Sequence, residues 1–173
     1  MKKTVTIFSG ILSLMVMLAF TLPQTTNAQK ANFAGTWTYN AEKSTPTGGQ
    51  GGGGQRGGFG GGNFVATQEA NLLTVTRTRT GQDGTPTTTV MKYTLDGKES
   101  TNSMGQMDVK SKATWSPDGK SLTISTTRTF NDTPMTTTEV WTITAPKTLS
   151  IVTTRPGRDG GAPTSRTQVY EQK

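Results

Sequence analysis

From Phe33 onward, apolar and polar residues alternate with period two in short runs separated by turn-forming residues. Successive side chains of an extended chain point to opposite sides, so this period predicts half-buried strands. The runs are rich in Thr, Val, Ile, Trp and Tyr, which fit a pleated surface, and no stretch of the mature chain sustains a helical stripe. Ten strands are predicted: Phe33–Asn40, Phe64–Glu69, Leu72–Arg79, Thr87–Leu95, Lys98–Ser103, Met107–Trp115, Lys120–Phe130, Met135–Thr144, Lys147–Arg155 and Thr164–Gln172. Breakers such as Asp96-Gly97, Ser116–Gly119 and Ala145-Pro146 fall between them. Short connections make consecutive strands antiparallel, and an even count lets the last strand pair with the first. The expected fold is therefore all-β: a single antiparallel up-and-down β-barrel of eight to ten strands, closed so that no edge is left exposed.

Three strands share a finer pattern. "LTVTRTR" (Leu73–Arg79), "LTISTTR" (Leu122–Arg128) and "LSIVTTR" (Leu149–Arg155) each place an Arg six residues after a Leu. An even spacing keeps both residues on one face, and the Leu, Val and Ile of that face call for burial. Six residues span about 20 Å, so each Arg stands far above its Leu. In an up-and-down order the three strands run the same way, which brings Arg79, Arg128 and Arg155 to one end of the barrel interior. Arg77 shares that face, and Arg166 begins a strand at the same end, on the face that also carries Gln168 and Tyr170. Glu139 shares a face with Trp141 and Ile143 and lies below the top of its strand. The connections at this cationic end are Ala41–Asn63, Thr80–Pro86, Met104–Gln106, Asn131–Pro134 and Pro156–Pro163, most of them longer than the short turns at the other end. The candidate ligand-binding set is thus Arg77, Arg79, Arg128, Arg155, Arg166, Gln168, Tyr170 and Glu139. Arginine suits carboxylate or phosphate because its planar fork donates two parallel hydrogen bonds.

Composition narrows the chemistry. The 173-residue chain contains neither Cys nor His, which removes disulfides, thiol chemistry and most metal sites and nucleophile–base pairs. No metal, cofactor or catalytic residue is assigned, and a non-enzyme is expected. Lys2 and Lys3 precede an apolar run from Ile7 to Phe20, and Thr26–Ala28 supplies small residues for cleavage. Residues 1–28 are therefore read as a secretory signal peptide, leaving one domain over 29–173 with no membrane span. Export to the periplasm or beyond follows. The formal net charge is +7, or +5 without Lys2 and Lys3, an excess that favours anionic partners without selecting one.

The segment 45–63 is dominated by glycine and is expected to form a flexible loop. Its "RGGFGGG" holds a single Arg in an exported chain, so no nucleic-acid partner is expected.

Two motifs carry a family resemblance. "FAGTWTYNAEKS" (Phe33–Ser44) and "TQVYEQK" (Thr167–Lys173) resemble the first and last strands of the calycins, the lipocalin and fatty-acid-binding barrels. The resemblance implies that Trp37 packs across a closed floor and that Tyr170 faces a ligand carboxylate. The Arg that precedes that Tyr by two residues in the fatty-acid-binding members is Gln168 here, which donates a hydrogen bond without charge. The family's two-helix lid is replaced by the glycine-rich segment. The chain also resembles exported bacterial proteins of no assigned activity that share "GTWTYNAEKS", "LDGKES" (Leu95–Ser100) and "DGKSLTI" (Asp118–Ile124). The expected function is that of an exported binding or carrier protein for a small amphipathic or anionic hydrophobic ligand, held in a barrel mouth lined by Arg. The competing expectation is a non-catalytic envelope or protein-interaction module whose interior is filled by side chains.

Overall fold

The structure, a computed structural model, describes residues 29–45, 62–81, 83–105, 107–130, 133–157 and 161–172. The expected signal peptide and nearly all of the glycine-rich loop lie outside the described residues. Ten strands form one antiparallel sheet: β1 (Gly35–Asn40), β2 (Phe64–Glu69), β3 (Leu72–Thr80), β4 (Pro86–Thr94), β5 (Glu99–Met104), β6 (Met107–Trp115), β7 (Ser121–Phe130), β8 (Thr133–Ala145), β9 (Thr148–Arg155) and β10 (Thr164–Gln172). Neighbours follow the order β4-β3-β2-β1-β10-β9-β8-β7-β6-β5. The expected meander is present except between β4 and β5, which form the two edges of a nearly closed sheet, and β10 pairs with β1, Tyr170 facing Tyr39. Among the described residues no helix is long and apolar enough to cross a membrane.

The sheet curls until β4 and β5 meet, and side chains close this last seam. The Asn102 amide accepts a hydrogen bond from the Lys92 N–H at 2.7 Å and donates to the Lys92 carbonyl at 2.9 Å. The Thr94 N–H donates to the Ser100 hydroxyl at 2.9 Å. An asparagine amide carries the same donor and acceptor as a peptide group, so Asn102 stands in for a missing ladder rung. Edge backbone groups that would otherwise template aggregation are thereby satisfied at this height of the seam.

Turn chemistry fixes the register. Gly97, Gly105 and Gly119 adopt positive φ in the β4–β5, β5–β6 and β6–β7 turns, and Lys147 does so in the β8–β9 turn. The β5–β6 and β7–β8 connections are tighter than the sequence predicts. Met104 pairs with Met107 and Phe130 with Thr133, so only two residues lie between each pair of strands. The difference in length between the two ends therefore rests on the β1–β2, β3–β4 and β9–β10 connections.

The first strand begins two residues later than predicted because Phe33 leaves the sheet to close the floor. Its N–H donates to the Gln68 side chain at 2.9 Å, and the Gln68 amide returns to the Ala31 carbonyl at 3.0 Å. The Ala31 N–H donates to the Gly119 carbonyl at 2.9 Å, tying this segment to the β6–β7 turn. Gly35 then turns the chain into β1 with φ 148°, a region that disfavours side chains, and a Cβ there would collide with the Gln172 side chain. After β1, the buried Ser44 hydroxyl donates to the Asn40 carbonyl at 2.6 Å and accepts from the Val169 N–H at 2.9 Å. The glycine of "GTWTYNAEKS" thus makes room for the Gln172 side chain, and its serine bonds two backbone groups.

The core is aromatic and spans the barrel from wall to wall. Phe33 stacks on Trp115 at 5.8 Å and meets Trp141 edge-on at 5.8 Å. Phe64 meets Trp141 at 5.5 Å and Tyr170 at 5.0 Å, and Tyr170 meets Tyr39 at 5.6 Å. Phe64 on β2 and Trp141 on β8 are separated by three strands along the sheet, so their contact crosses the interior. Each such pair contributes about 1 kcal/mol beyond the area it buries. Trp37 and Trp115 both meet Phe33: the Trp37 indole donates to the Phe33 carbonyl at 2.9 Å, and the Trp115 ring stacks on the Phe33 ring.

Candidate functional site: a polar chamber under an arginine rim

Above the aromatic layer the inward positions turn polar. Pairing across β7, β8, β9 and β10 sets out the change in successive rungs. Leu122, Trp141, Ile151 and Gln168 form one rung. Ile124, Glu139, Thr153 and Arg166 form the next one up. Thr126 and Thr137 pair above these, and Ser111 on β6 flanks Thr126. Arg128 and Arg155 are the next inward residues of β7 and β9. Adjacent strands lie about 4.8 Å apart, so Thr153 stands one strand from both Glu139 and Arg166. Asn102, Ser111, Thr126, Thr137, Glu139, Thr153 and Gln168 are all buried, while Arg77, Arg79, Arg128, Arg155 and Arg166 are half-buried. The three repeated motifs therefore do carry their Leu into the floor region and their Arg to one rim.

Several of these polar groups hold one another in place. The Glu139 carboxylate accepts from the Trp141 indole at 3.0 Å. Arg166 donates through Nη2 to the Gln168 carbonyl oxygen at 3.3 Å, and the Gln168 amide donates to the Tyr170 hydroxyl oxygen at 3.2 Å. Gln168, in the place where the resembled family carries an arginine, thus joins a rim cation to the phenol without adding a charge to the interior. Arg77 lies over the Phe64 ring with its guanidinium carbon 4.9 Å from the centroid, a cation–π contact. The Ser111 and Thr126 hydroxyls bond each other at 3.0 Å. The Thr153 hydroxyl and the Arg155 Nε are buried and lack a hydrogen-bond partner.

The charges of these groups act on one another. Burial lowers the Arg155 guanidinium below its ordinary range, the nearby Arg166 and Arg128 lower it further, and Glu139 opposes them. The Tyr170 phenol is pushed up to about 12, chiefly by burial, with Arg77 and Arg166 opposing and Glu139 and Tyr39 adding to the rise. Burial and Glu139 raise the Tyr93 phenol, against Arg77. Arg77, Arg128, Arg155, Arg166, Glu139, Gln168 and Tyr170 therefore lie within reach of one another in the upper barrel. Arg79 lies two residues further up β3, facing Thr87 on β4.

Sequence reasoning did not single out Tyr93, Phe64, Thr153 or the Ser111–Thr126 pair. Thr153 had a signal, since it shares an inward face with Leu149, Ile151 and Arg155, but threonine is so frequent in this chain that the residue type alone was uninformative. Among the described residues no group of three or more metal-ligating side chains comes together. No protein-family profile matches the chain, and no curated protein sequence matches it.

Proposed function

We propose that this chain is an exported, non-catalytic binding or carrier protein for a small amphipathic or anionic ligand, whose charged end is held at the arginine-lined mouth of the barrel. The observation that carries the reading is the polarity gradient: rim cations and buried hydroxyls lie directly above an apolar aromatic layer. An anionic head meets Arg128, Arg155 and Arg166 by paired hydrogen bonds. The aromatic layer sets how far an apolar tail can descend. Replacing Arg128 and Arg155 together by Ala is expected to weaken binding of a fluorescent fatty acid while leaving the melting temperature nearly unchanged, because rim charges contribute little to stability. Unchanged binding by the double variant would refute the reading.

One observation favours a second reading, an envelope structural or interaction module. Phe64, Trp141 and Phe33 meet across the interior, so side chains occupy its lower half. Native mass spectrometry of protein taken from its export compartment separates the two. A copurified lipid-sized ligand supports the carrier, whereas a bare chain that takes up no dye supports the module.

A further inference from the structure

We infer that the chamber selects a doubly charged oxyanion of the phosphate type over a monocarboxylate, with Thr153 and Arg155 as the selecting residues. This inference rests on the binding reading above and names the chemical class of its ligand. Three observations carry it, of which the first is charge. Glu139 is the one buried charged residue among the described residues, and it faces the same chamber as the guanidinium groups of Arg77, Arg128, Arg155 and Arg166. Arg155 lies within electrostatic reach of both Arg128 and Arg166, with Glu139 opposing them, so an anion bound beside Arg155 meets more than one cation. A second negative charge on that anion gains more from them than a single one does.

The second observation is donor supply. Thr153 is 1% exposed on an inward face, and its hydroxyl has no hydrogen-bond partner. The Arg155 Nε is likewise buried without a partner. Buried polar atoms are otherwise almost always satisfied, and an unsatisfied one calls for an explanation. A ligand oxygen supplies the acceptor that both lack. Because Thr153 is buried, an anion reaches its hydroxyl only when the side chains above it move aside, and arginine side chains such as that of Arg155, two residues further up the same face, swing about several single bonds.

The third observation is geometric. Thr153 is paired with Arg166 across β9 and β10, and Arg155 follows Thr153 on the same inward face of β9. Donors thus converge from two heights and two strands. A tetrahedral group with three free oxygens can meet them together, whereas a planar carboxylate offers two oxygens in one plane.

The test is calorimetric titration of the full mature chain at pH 8 with octyl phosphate, octanoate and inorganic phosphate, repeated with Thr153→Val and Thr153→Ser. The wild type is expected to bind octyl phosphate at least about tenfold more tightly than octanoate, the scale of one additional charge-assisted hydrogen bond. Thr153→Val should lose most of that preference and Thr153→Ser should keep it. Inorganic phosphate binding as tightly as octyl phosphate identifies a free oxyanion as the ligand, and octyl phosphate binding alone identifies an amphiphile; both support the inference. Octanoate binding as tightly as octyl phosphate, or a preference that survives Thr153→Val, overturns it while the binding reading stands. Failure of all three probes overturns both.

Discussion

Two threonines on inward faces of this barrel should respond in opposite directions to the same substitution. Thr153 is 1% exposed, and its hydroxyl lacks a partner. Thr126 is also buried, but its hydroxyl bonds the Ser111 hydroxyl at 3.0 Å, and Ser111 is 1% exposed. Valine has nearly the shape of threonine, with a methyl in place of the hydroxyl. Burying an unpaired hydroxyl costs about 1–3 kcal/mol, so Thr153→Val removes that penalty and should stabilise the fold by about 1–2 kcal/mol. Thr126→Val instead leaves the Ser111 hydroxyl buried without its partner, and the gained methyl offsets only about 0.8 kcal/mol. A net destabilisation of about 1–2 kcal/mol is expected. Urea denaturation at neutral pH measures both, and the midpoints should move apart with unchanged slopes. For a domain of this size the melting temperatures should separate by about 5–12 °C. Equal loss of stability in both variants would refute the assignment of Thr153 as an unsatisfied donor, and with it the donor argument for the chamber.

Other expectations follow from the seam, the phenols and the core. Asn102→Ala removes both hydrogen bonds to the Lys92 backbone. It should cost about 1–3 kcal/mol and speed amide exchange at Lys92 more than at the centre of β9, whereas uniform exchange would show that the seam is closed by other means. The Tyr170 phenol is raised in the folded state to about 12 from an ordinary value of 10. Its contribution is therefore complete below pH 10 and is lost as pH rises from 10 to 12, because the unfolded chain releases the proton first. The share of the fall in stability across that window that Tyr170→Phe removes should be worth about 3 kcal/mol, the raised Tyr93 phenol adding a fall that remains in the variant. Phe64→Ala breaks the contacts that cross the interior to Trp141 and Tyr170. A loss of about 3–5 kcal/mol by urea denaturation is expected, and a loss under 1 kcal/mol would mean that the aromatic layer does not hold the walls together.

Much of the site was legible because parity along a strand is a local property. Leu122 and Arg128 share a face whatever the rest of the chain does, and so do Leu149 and Arg155. Once a meander assigned directions, the rim followed. The pairing of Gln168 with both Arg166 and Tyr170 was half legible: their spacing of two placed them on one face, but the hydrogen-bond chain linking them depends on rotamers. Phe33 was read as the start of a strand since it continues the alternation into Trp37. It leaves the sheet because Gln68 satisfies its N–H with a side chain and its ring is needed between Trp115 and Trp141. That choice belongs to residues more than thirty positions away.

The amino-acid sequence alone determined the strands, their inward faces and the end of the barrel at which the arginines gather. Those features arise from the two-residue repeat of an extended backbone and from short connections, both of which act between near neighbours. Only the tertiary structure decided where opposite walls touch. Phe64 reaching Trp141, Asn102 completing the seam and Thr153 lying unpaired beside the rim cations all depend on how tightly the sheet curls and how its last two edges meet. Curvature sums small twists over ten strands, so no single run of residues encodes it.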